Sequence, residues 1–144
     1  ESACGPSLRV NGRSQVTGNT RLGTNVNFNG LEIVGAGAVK IGDNFHSGPG
    51  CLLIAQNHNF EGSAIPYDAT VIPLDITIED NVWLGSRVIV LGGVTIGEGA
   101  IIQAGSTVVN DIARCAIAGG HPAQAFKSRD VEHYERLKRE GKFH

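Results

Sequence analysis

The residues of this sequence with the most evident capacity for acid–base chemistry are its five histidines. Three of them lie in or just before the C-terminal segment and are interpreted as solvated or structural: His121, His133 and His144. Much of the sequence repeats every six residues, and His46 and His58 each end one unit of this repeat. His58 directly precedes a segment, 59–77, in which the repeat is broken. A histidine beneath such a loop can exchange protons near neutral pH. His58 is therefore the candidate general base, with a hydrogen-bonded turn residue as the alternative.

Other chemistry has little support in the sequence. The motifs of phosphate-binding loops, dinucleotide-binding folds and serine hydrolases do not occur, and no C-x-x-C pair is present to hold zinc. A zinc-dependent carbonic anhydrase of the γ type needs three histidine ligands. His46 and His58 are twelve residues apart, which is two units of the repeat. In a solenoid with three sides to each coil, this spacing places them on different faces, so they cannot bind one metal ion together in one chain. We therefore expect no metal cofactor.

The element that must position these residues is a six-residue repeat in the second half of the chain. Large aliphatic residues occupy every sixth position: Ile78, Leu84, Val90, Ile96, Ile102 and Val108. The residues two places after them are mostly polar or tiny, which excludes the period of two of a half-buried strand. A hexapeptide repeat predicts a parallel β-helix, an all-β solenoid with three short strands in each coil. An antiparallel sandwich or barrel is the alternative, and the scarcity of Asn-Gly turns disfavours it.

The first half of the chain carries the same repeat less regularly. Its inward positions, with a one-residue slip before Ile41, are predicted to be these: Val10, Val16, Leu22, Phe28, Ile41, Ser47 and Leu53. Glycine follows several inward residues of the chain, at Gly23, Gly42, Gly48, Gly85 and Gly97. At these positions we expect a corner that requires positive φ.

The length predicts one domain, interrupted by one long loop. The predicted segments are a lead-in at 1–7, coils at about 8–58, a loop at 59–77, coils at about 78–118 and a helix at about 130–140. The helix has Asp130 as its N-cap, acidic residues early and basic residues late. We expect it to cap the end of the solenoid or to contact a neighbouring subunit. A solvated tail is the alternative.

Composition disfavours two classes of partner. The net charge of −2 and the pI of about 6.2 predict no binding of nucleic acid. No run of 18 apolar residues occurs, so no insertion into a membrane is expected. Three cysteines, an odd number, do not make a disulfide framework, and Cys51 is predicted to be a buried thiol. Reduced thiols favour a cytoplasmic location.

Several motifs between about residue 22 and residue 127 are shared with known enzymes. They are Ile41-Gly-Asp-Asn, Gly48-Pro-Gly, Asn57-His58, Ile78-Glu-Asp-Asn-Val-Trp-Leu-Gly-Ser86, Gly93-Val-Thr-Ile-Gly97, Ala104-Gly-Ser106, Asp111-Ile and Ala118-Gly-Gly-His-Pro122. With these motifs the chain resembles the left-handed β-helix acyltransferases. Within that family it resembles in particular the maltose, galactoside and nodulation-type O-acetyltransferases and the xenobiotic acetyltransferases.

The resemblance implies a homotrimer that binds acetyl-coenzyme A in the groove between two prisms. It implies that His58 removes the proton from an acceptor hydroxyl. Asn27 matches a family asparagine near the reacting centre, and the N–H of Ser86 matches an oxyanion donor. Trp83 matches a tryptophan that walls the site, with simple packing at a corner as the alternative.

The resemblance also implies a set of cofactor contacts. Ala104, Gly105 and Ser106 would line the pantetheine tunnel, with ordinary repeat residues as the alternative. The chain departs from the family pattern at Asn110 and Gln124. Lys127 and Arg129 are therefore the remaining candidates for contacts with the phosphates of coenzyme A.

The expected function is transfer of acetyl from acetyl-coenzyme A to a hydroxyl of a saccharide. Phe60 and Tyr67, in the loop beside His58, are the candidate acceptor contacts. The alternatives are acetylation of a xenobiotic, a non-catalytic scaffold and the γ-type carbonic anhydrase. Asn27 and His58 are predicted to lie on different faces of one prism. A site that uses both must therefore form between subunits.

Overall fold

The computed structural model describes residues 3–144 and contains three sheets that wind around one core. Sheet A contains β1 (Ala3–Cys4), β3 (Thr20–Leu22), β6 (Val39–Ile41), β11 (Ile76–Ile78) and β14 (Thr95–Ile96). Sheet B contains β2 (Arg9–Val10), β4 (Asn27–Phe28), β7 (His46–Ser47), β12 (Trp83–Leu84), β15 (Ile101–Ile102), β17 (Ala116–Gly120) and β18 (Ala123–Ser128). Sheet C contains β5 (Leu31–Val34), β8 (Cys51–Ile54), β13 (Ile89–Leu91) and β16 (Thr107–Val108).

The chain visits sheets A, B and C in turn, and each strand pairs in parallel with the strand one coil away. The pair of β17 with β18 is the antiparallel exception within these three sheets. A fourth, two-stranded antiparallel sheet pairs β9 (Gln56–His58) with β10 (Val71–Pro73) and forms a hairpin outside the coils. This connectivity is a parallel β-helix, the class of fold that the repeat predicts, and it has about six turns.

The six-residue repeat builds the core as expected. All six aliphatic residues from Ile78 to Val108 are 0 % exposed. Ile78 pairs with Ile96 across one coil, 18 residues on, and Ile41 pairs with Ile78, 37 residues on. The difference, 37 − 18 = 19 residues, is the length that the hairpin inserts into one coil. The core is therefore continuous across the insertion.

The glycines that follow inward residues do not have the role expected of them, because none of the five has positive φ. An added Cβ at Gly85 would lie 2.6 Å from the backbone nitrogen of Ala104, and one at Gly97 would lie 2.6 Å from that of Arg114. Neighbouring coils approach too closely there for any side chain. Positive φ occurs instead three residues after an inward residue, at Asn25, Asn44 and Asn81.

These asparagines form a ladder along the corner between sheets A and B. Nδ2 of Asn25 donates to Oδ1 of Asn44 at 2.9 Å, and Nδ2 of Asn44 donates to Oδ1 of Asn81 at 2.8 Å. Nδ2 of Asn81 then donates to the hydroxyl oxygen of Tyr134 at 2.9 Å. Asparagine tolerates left-handed backbone better than most residues, so it suits this repeated corner.

Two boundaries and one inward position differ from the sequence prediction. Sheet A resumes at Ile76, two residues before the predicted start of the second coils at 78, because Ile76 pairs with Val39 in the coil below. The predicted lead-in 1–7 contains β1, which pairs with β3. Val10 is 49 % exposed although the repeat predicts an inward position, because no described coil covers that end of the prism.

The C-terminal helix α1 (Val131–Arg139) begins where predicted, and the Asp130 side chain accepts a hydrogen bond from the N–H of His133 at 3.1 Å. It does not cap the end of the solenoid. Tyr134 is its buried residue and packs against Gly99, where a Cβ would lie 2.9 Å from the ring. The helix therefore lies along the side of the solenoid, at the corner of sheets A and B.

Candidate active site

His58 lies outside the coils, at the end of β9, directly opposite Val71 of β10. Its side chain is exposed. The ring of Tyr67 stacks on it, with ring centroids 4.0 Å apart and planes inclined by 12°. Phe60, in the same hairpin, is 64 % exposed, and Tyr67 is 44 % exposed. His58 and Tyr67 therefore form an exposed stacked pair, and Phe60 is exposed in the same hairpin.

Asn27 lies on the outer side of sheet B, in register with His46 and Trp83. It pairs with His46, and His46 pairs with Trp83. Asn27 is only 8 % exposed, and its Nδ2 donates to the backbone oxygen of Asn25 at 3.2 Å. Trp83 is 52 % exposed, so its indole presents a flat apolar surface beside His46. Packing of Trp83 into a corner, the alternative to a wall of the site, is not what the fold produces.

His46 has a more central position than the sequence suggested. Its Nε2 lies 2.8 Å from the backbone oxygen of His144, and the two imidazole rings stack with centroids 5.4 Å apart. Nδ2 of Asn25 donates to the same oxygen at 3.0 Å. Nε2 of His46 also lies 3.4 Å from Nδ2 of Asn27. A single ring N–H favours the shorter contact, so His46 donates to the His144 carbonyl.

The C-terminal residues thus cover part of the face that bears Asn27. A groove of about 410 Å³ remains between sheet B and α1, and His46, Trp83, Tyr134 and Phe143 contribute to its walls. The separation of 19 residues between Asn27 and His46, one coil, is the signal in the sequence that could have identified this neighbour. The contact with residue 144 has no such signal, because it depends on how the C-terminal segment packs.

Ser86 occupies the turn that connects sheets B and C. A Cβ on Gly48 would lie 2.7 Å from the nitrogen of Ser86, so glycine is required in the coil beneath it. The carbonyl of Ser86 accepts a hydrogen bond from the N–H of Gly105 at 2.8 Å. Among residues 3–144, the N–H of Ser86 donates to no backbone carbonyl. Ser86 itself is partly buried at this corner.

The three predicted tunnel residues differ in their surroundings. Ala104 and Gly105 are exposed, in the coil next to Ser86. Ser106 is 2 % exposed, and its Oγ accepts a hydrogen bond from the N–H of Gly120 at 3.0 Å. In this chain Ser106 therefore holds a turn and presents no surface to a ligand, unlike the expectation from the resemblance.

The two basic candidates for phosphate contacts also differ. Lys127 is exposed on β18, opposite Ile117. Arg129 is partly buried, and its Nε donates to the carbonyl of Gly99 at 2.6 Å while its guanidinium lies 5.5 Å from the centre of the Tyr134 ring. Arg129 therefore fastens α1 to the solenoid, and Lys127 is the better placed of the two for an anion.

The predicted residues fall into two groups that one chain does not bring together. His58, Phe60 and Tyr67 lie on the hairpin that follows sheet C. The second group lies on sheet B and at its corner with sheet C: Asn27, Trp83, Ser86, Ala104 and Gly105. Asn27 lies on a face of the prism as expected, but His58 lies on the hairpin outside the coils, so the expectation that it occupies another face of the prism is wrong.

The cysteines are free thiols at Cys4, Cys51 and Cys115. Cys51 is buried as predicted, and burial raises the pKa of its thiol above the ordinary value. Within residues 3–144, no three histidine, cysteine or acidic side chains converge in a way that could hold a metal ion. In the same part of the chain, no helix has the length and apolar character to cross a bilayer.

The solenoid and its hairpin define a class of protein, the hexapeptide-repeat transferases. The family model for bacterial transferase hexapeptide (six repeats) matches residues 75–110. A galactoside O-acetyltransferase of Escherichia coli is 36 % identical over 121 residues, which are 81 % of this chain and 59 % of that enzyme. A putative acetyltransferase of Schizosaccharomyces pombe is 40 % identical over 94 residues, 65 % of this chain and 45 % of the relative. A chloramphenicol acetyltransferase of Agrobacterium fabrum is 40 % identical over 55 residues, 38 % and 26 %.

Solved structures agree with these sequence matches. A galactoside acetyltransferase in complex with coenzyme A superposes with a TM-score of 0.79 at 32 % identity, covering 91 % of this chain and 67 % of that one. A maltose O-acetyltransferase from Clostridium difficile superposes with a TM-score of 0.79 at 27 % identity, covering 89 % and 70 %. The chain belongs to the left-handed β-helix family of hexapeptide-repeat acyltransferases, as its motifs indicate. It spans about half the length of the two curated relatives with the longest matches.

Proposed function

We propose that this protein transfers acetyl from acetyl-coenzyme A to a hydroxyl group of a saccharide acceptor. The observation that carries the proposal is the exposed imidazole of His58, held on a hairpin outside the repeat. Family membership supports the acetyl donor, because relatives are named as acetyltransferases and one solved relative holds coenzyme A. The saccharide acceptor rests on the galactoside and maltose enzymes among these relatives.

In the proposed mechanism His58 accepts the proton of the acceptor hydroxyl as the oxygen attacks the thioester carbonyl. The carbonyl oxygen becomes an oxyanion, which the N–H of Ser86 stabilises by a few kcal/mol. The tetrahedral intermediate then collapses, the C–S bond breaks, and the coenzyme A thiolate receives the proton from His58. General base catalysis of this kind contributes about 10² to 10⁴ in rate. Asn27 is proposed to orient the acceptor or intermediate through its side-chain amide.

The proposed cofactor contacts follow the accessible residues near Ser86. Ala104 and Gly105 are small and exposed, so pantetheine can approach the backbone at this corner. The exposed indole of Trp83 offers an apolar wall. Lys127 is proposed to contact a phosphate. We assign Ser106 and Arg129 supporting roles, because both are engaged within the chain.

We propose that the complete site forms between subunits of a homotrimer. The hairpin bearing His58 follows sheet C, whereas Asn27 and Trp83 lie on sheet B and Ser86 lies at the corner of sheets B and C. A threefold arrangement that sets the hairpin of one subunit against sheet B of the next would unite both groups. Each trimer would then contain three equivalent sites.

The principal test is replacement of the proposed base. His58→Ala should lower turnover by about 10² to 10⁴, measured as release of free coenzyme A thiol. The side chain is exposed, so the circular dichroism spectrum and the unfolding midpoint should not change. His121→Ala is the matched control, because His121 is also exposed and has no proposed role. A folded His58→Ala variant with full activity would refute the mechanism.

Acetylation of a xenobiotic is the second candidate for the acceptor. The match to a chloramphenicol acetyltransferase at 40 % identity supports it, although that match covers only 55 residues. An acceptor panel containing simple glycosides and chloramphenicol, assayed by thiol release, distinguishes the two. Exclusive turnover of chloramphenicol would reject the saccharide proposal.

Two further alternatives are tested without an acceptor. A non-catalytic scaffold would not bind coenzyme A, so calorimetry with coenzyme A separates it from an enzyme. A carbonic anhydrase would lose activity on chelation and regain it with zinc. We expect acetyl transfer to survive chelation unchanged.

We also propose a cytoplasmic location. The three cysteines are all unpaired, which suits a reducing compartment. Fractionation of cells that produce the protein, with antibody detection, tests this assignment.

A further inference from the structure

We infer that Tyr67 is a positioning residue for His58 and does not bind the acceptor. This inference rests on the proposed role of His58 as the general base. The place of Tyr67 in the loop beside His58 suggests acceptor binding, but its ring stacks on the imidazole of His58.

The stacked geometry limits how the imidazole can rotate. The two ring centroids are 4.0 Å apart and the planes are nearly parallel, so Tyr67 covers one face of His58. The described hydrogen bonds of His58 use its backbone: its N–H donates to Oδ1 of Asn57 at 3.1 Å, and its carbonyl accepts from the N–H of Phe60 at 3.1 Å. Among residues 3–144 no hydrogen bond orients the ring nitrogens. The stack is therefore the contact that fixes the plane of the imidazole ring.

The loop that carries Tyr67 is fastened beside the stack by its neighbour Asp68. Oδ1 of Asp68 accepts hydrogen bonds from the hydroxyl and the N–H of Thr70, and Oδ2 accepts from the N–H of Ser63 at 3.0 Å. These hydrogen bonds hold the pKa of the Asp68 carboxyl below its ordinary value. A Cβ on Gly62 would collide with the Asp68 carboxylate, so glycine is what lets the loop close around it.

The loop is also tied to the strand that bears His58. The N–H of Asp68 donates to the carbonyl of Asn59 at 3.2 Å, and Nδ2 of Asn59 donates to Oγ1 of Thr70 at 3.2 Å. Asn59 follows His58 directly, so these two bonds hold the segment that carries Tyr67 beside the imidazole. The hairpin thus places both rings through its own contacts, without an acceptor present.

Kinetics separate positioning from acceptor binding. Tyr67→Ala should lower kcat about 10- to 100-fold, because small misplacement of a catalytic group has effects of this size, and should leave the KM for the acceptor unchanged. Tyr67→Phe keeps the stacking ring and should retain wild-type kcat. Ile65→Ala, which removes a 98 % exposed side chain of the same loop, is the control and should also retain it.

Hydrolysis of acetyl-coenzyme A without acceptor sharpens the test. In this reaction His58 takes a proton from water, the water oxygen attacks the thioester, and acetate and the free thiol are released. A positioning role predicts that Tyr67→Ala lowers hydrolysis and acetyl transfer by the same factor. A raised acceptor KM with unchanged hydrolysis would overturn the inference and return Tyr67 to the acceptor site.

A spectroscopic measurement distinguishes failure of this inference from failure of the proposed function. A proton on a ring stacked on tyrosine is shifted upfield by the ring current. The Hε1 resonance of His58, identified by its loss in His58→Ala, should move downfield in Tyr67→Ala and stay in place in Tyr67→Phe. An unmoved resonance in Tyr67→Ala would overturn the inference. A moved resonance together with a fully active His58→Ala would reject the proposed base and keep the stack.

Discussion

The hydroxyl group of Tyr134 donates a hydrogen bond to Oε2 of Glu98 at 2.7 Å. Nζ of Lys138 lies 2.8 Å from the same oxygen, and Arg114 pairs with both Glu98 and Glu135. Burial acts to raise the pKa of the Glu98 carboxyl, but the hydrogen bonds from Lys138 and Tyr134 and the nearby positive charges outweigh burial and lower that pKa. Glu98 is therefore the carboxylate that attaches α1 to the side of the solenoid.

The first prediction concerns this attachment and its dependence on pH. Because the pKa of Glu98 is lower in the folded state than its ordinary value of 4.5, the carboxylate stabilises the fold fully above that value. This contribution is lost as the pH falls through the lower folded-state pKa. Glu98→Gln should lower the free energy of unfolding by about 1 kcal/mol near neutral pH. The difference in unfolding free energy from the wild type should shrink in acid. Urea denaturation near neutral pH and at a pH below the folded-state pKa of Glu98 measures it.

Glu140→Gln is the control for Glu98→Gln. Glu140 forms a 3.2 Å ion pair with Lys142, and both side chains are largely exposed. Exposed pairs contribute little, so this variant should resemble the wild type at either pH. A Glu98→Gln deficit that grows in acid would contradict the assignment.

The second prediction tests the close approach of neighbouring coils. Gly85→Ala would put a Cβ 2.6 Å from the backbone nitrogen of Ala104, and backbone cannot move aside as a side chain can. We expect a loss of about 1 to 3 kcal/mol in the free energy of unfolding. In Gly18→Ala the new Cβ has no neighbour within 4 Å, so stability should change by less than about 0.5 kcal/mol. Equal unfolding midpoints for the two variants would show that the coils tolerate the added atom.

The third prediction tests whether the proposed site is shared between subunits. Asn27→Ala and His58→Ala should each have weak activity as homotrimers. Co-expression of the two should restore part of the activity, because some interfaces then pair an intact Asn27 with an intact His58. Two different affinity tags isolate the mixed trimers for assay. Mixed trimers as weak as the separate variants would show that the two residues do not serve one site across the interface.

The fourth prediction concerns the role of the hairpin in choosing the acceptor. Phe60 is 64 % exposed and its ring is not stacked on His58, so it remains the candidate acceptor contact. Phe60→Ala should raise the acceptor KM several-fold while coenzyme A binding, measured by calorimetry, stays unchanged. Ile65→Ala should alter neither quantity. Weakened coenzyme A binding with a normal acceptor KM would instead assign the hairpin to the cofactor.

Most of the fold could be predicted from the sequence because the repeat is local and regular. The residues from Ile78 to Val108 recur every six positions, and each is fully buried. Where the repeat is irregular, prediction was less accurate. The slip before Ile41 was recognised, but the resumption of sheet A at Ile76 was missed, since that strand is defined by its pairing with Val39.

The candidate site could be predicted only in part. Motif positions suggested His58, Asn27, Ser86 and Trp83 as candidates, and the loop suggested Phe60 and Tyr67. The stack of Tyr67 on His58 was not predicted, because it depends on how Asp68 fastens the loop. The burial of Ser106 was missed because the resemblance assigned it to the cofactor, although its place two residues before Val108 is that of the buried Val88 and Val94.

By itself the sequence determined the solenoid, its three-sided coil and the interruption before sheet A resumes. A six-residue period of large aliphatic side chains can bury its apolar surface in a three-sided prism, and this requires no knowledge of distant contacts. The tertiary structure decided which residues became neighbours: His46 with residue 144, Glu98 with Tyr134, and Tyr67 with His58. These contacts join segments outside the repeat to each other or to the solenoid. Their formation depends on packing and hydrogen bonding in three dimensions, for which periodicity carries no information.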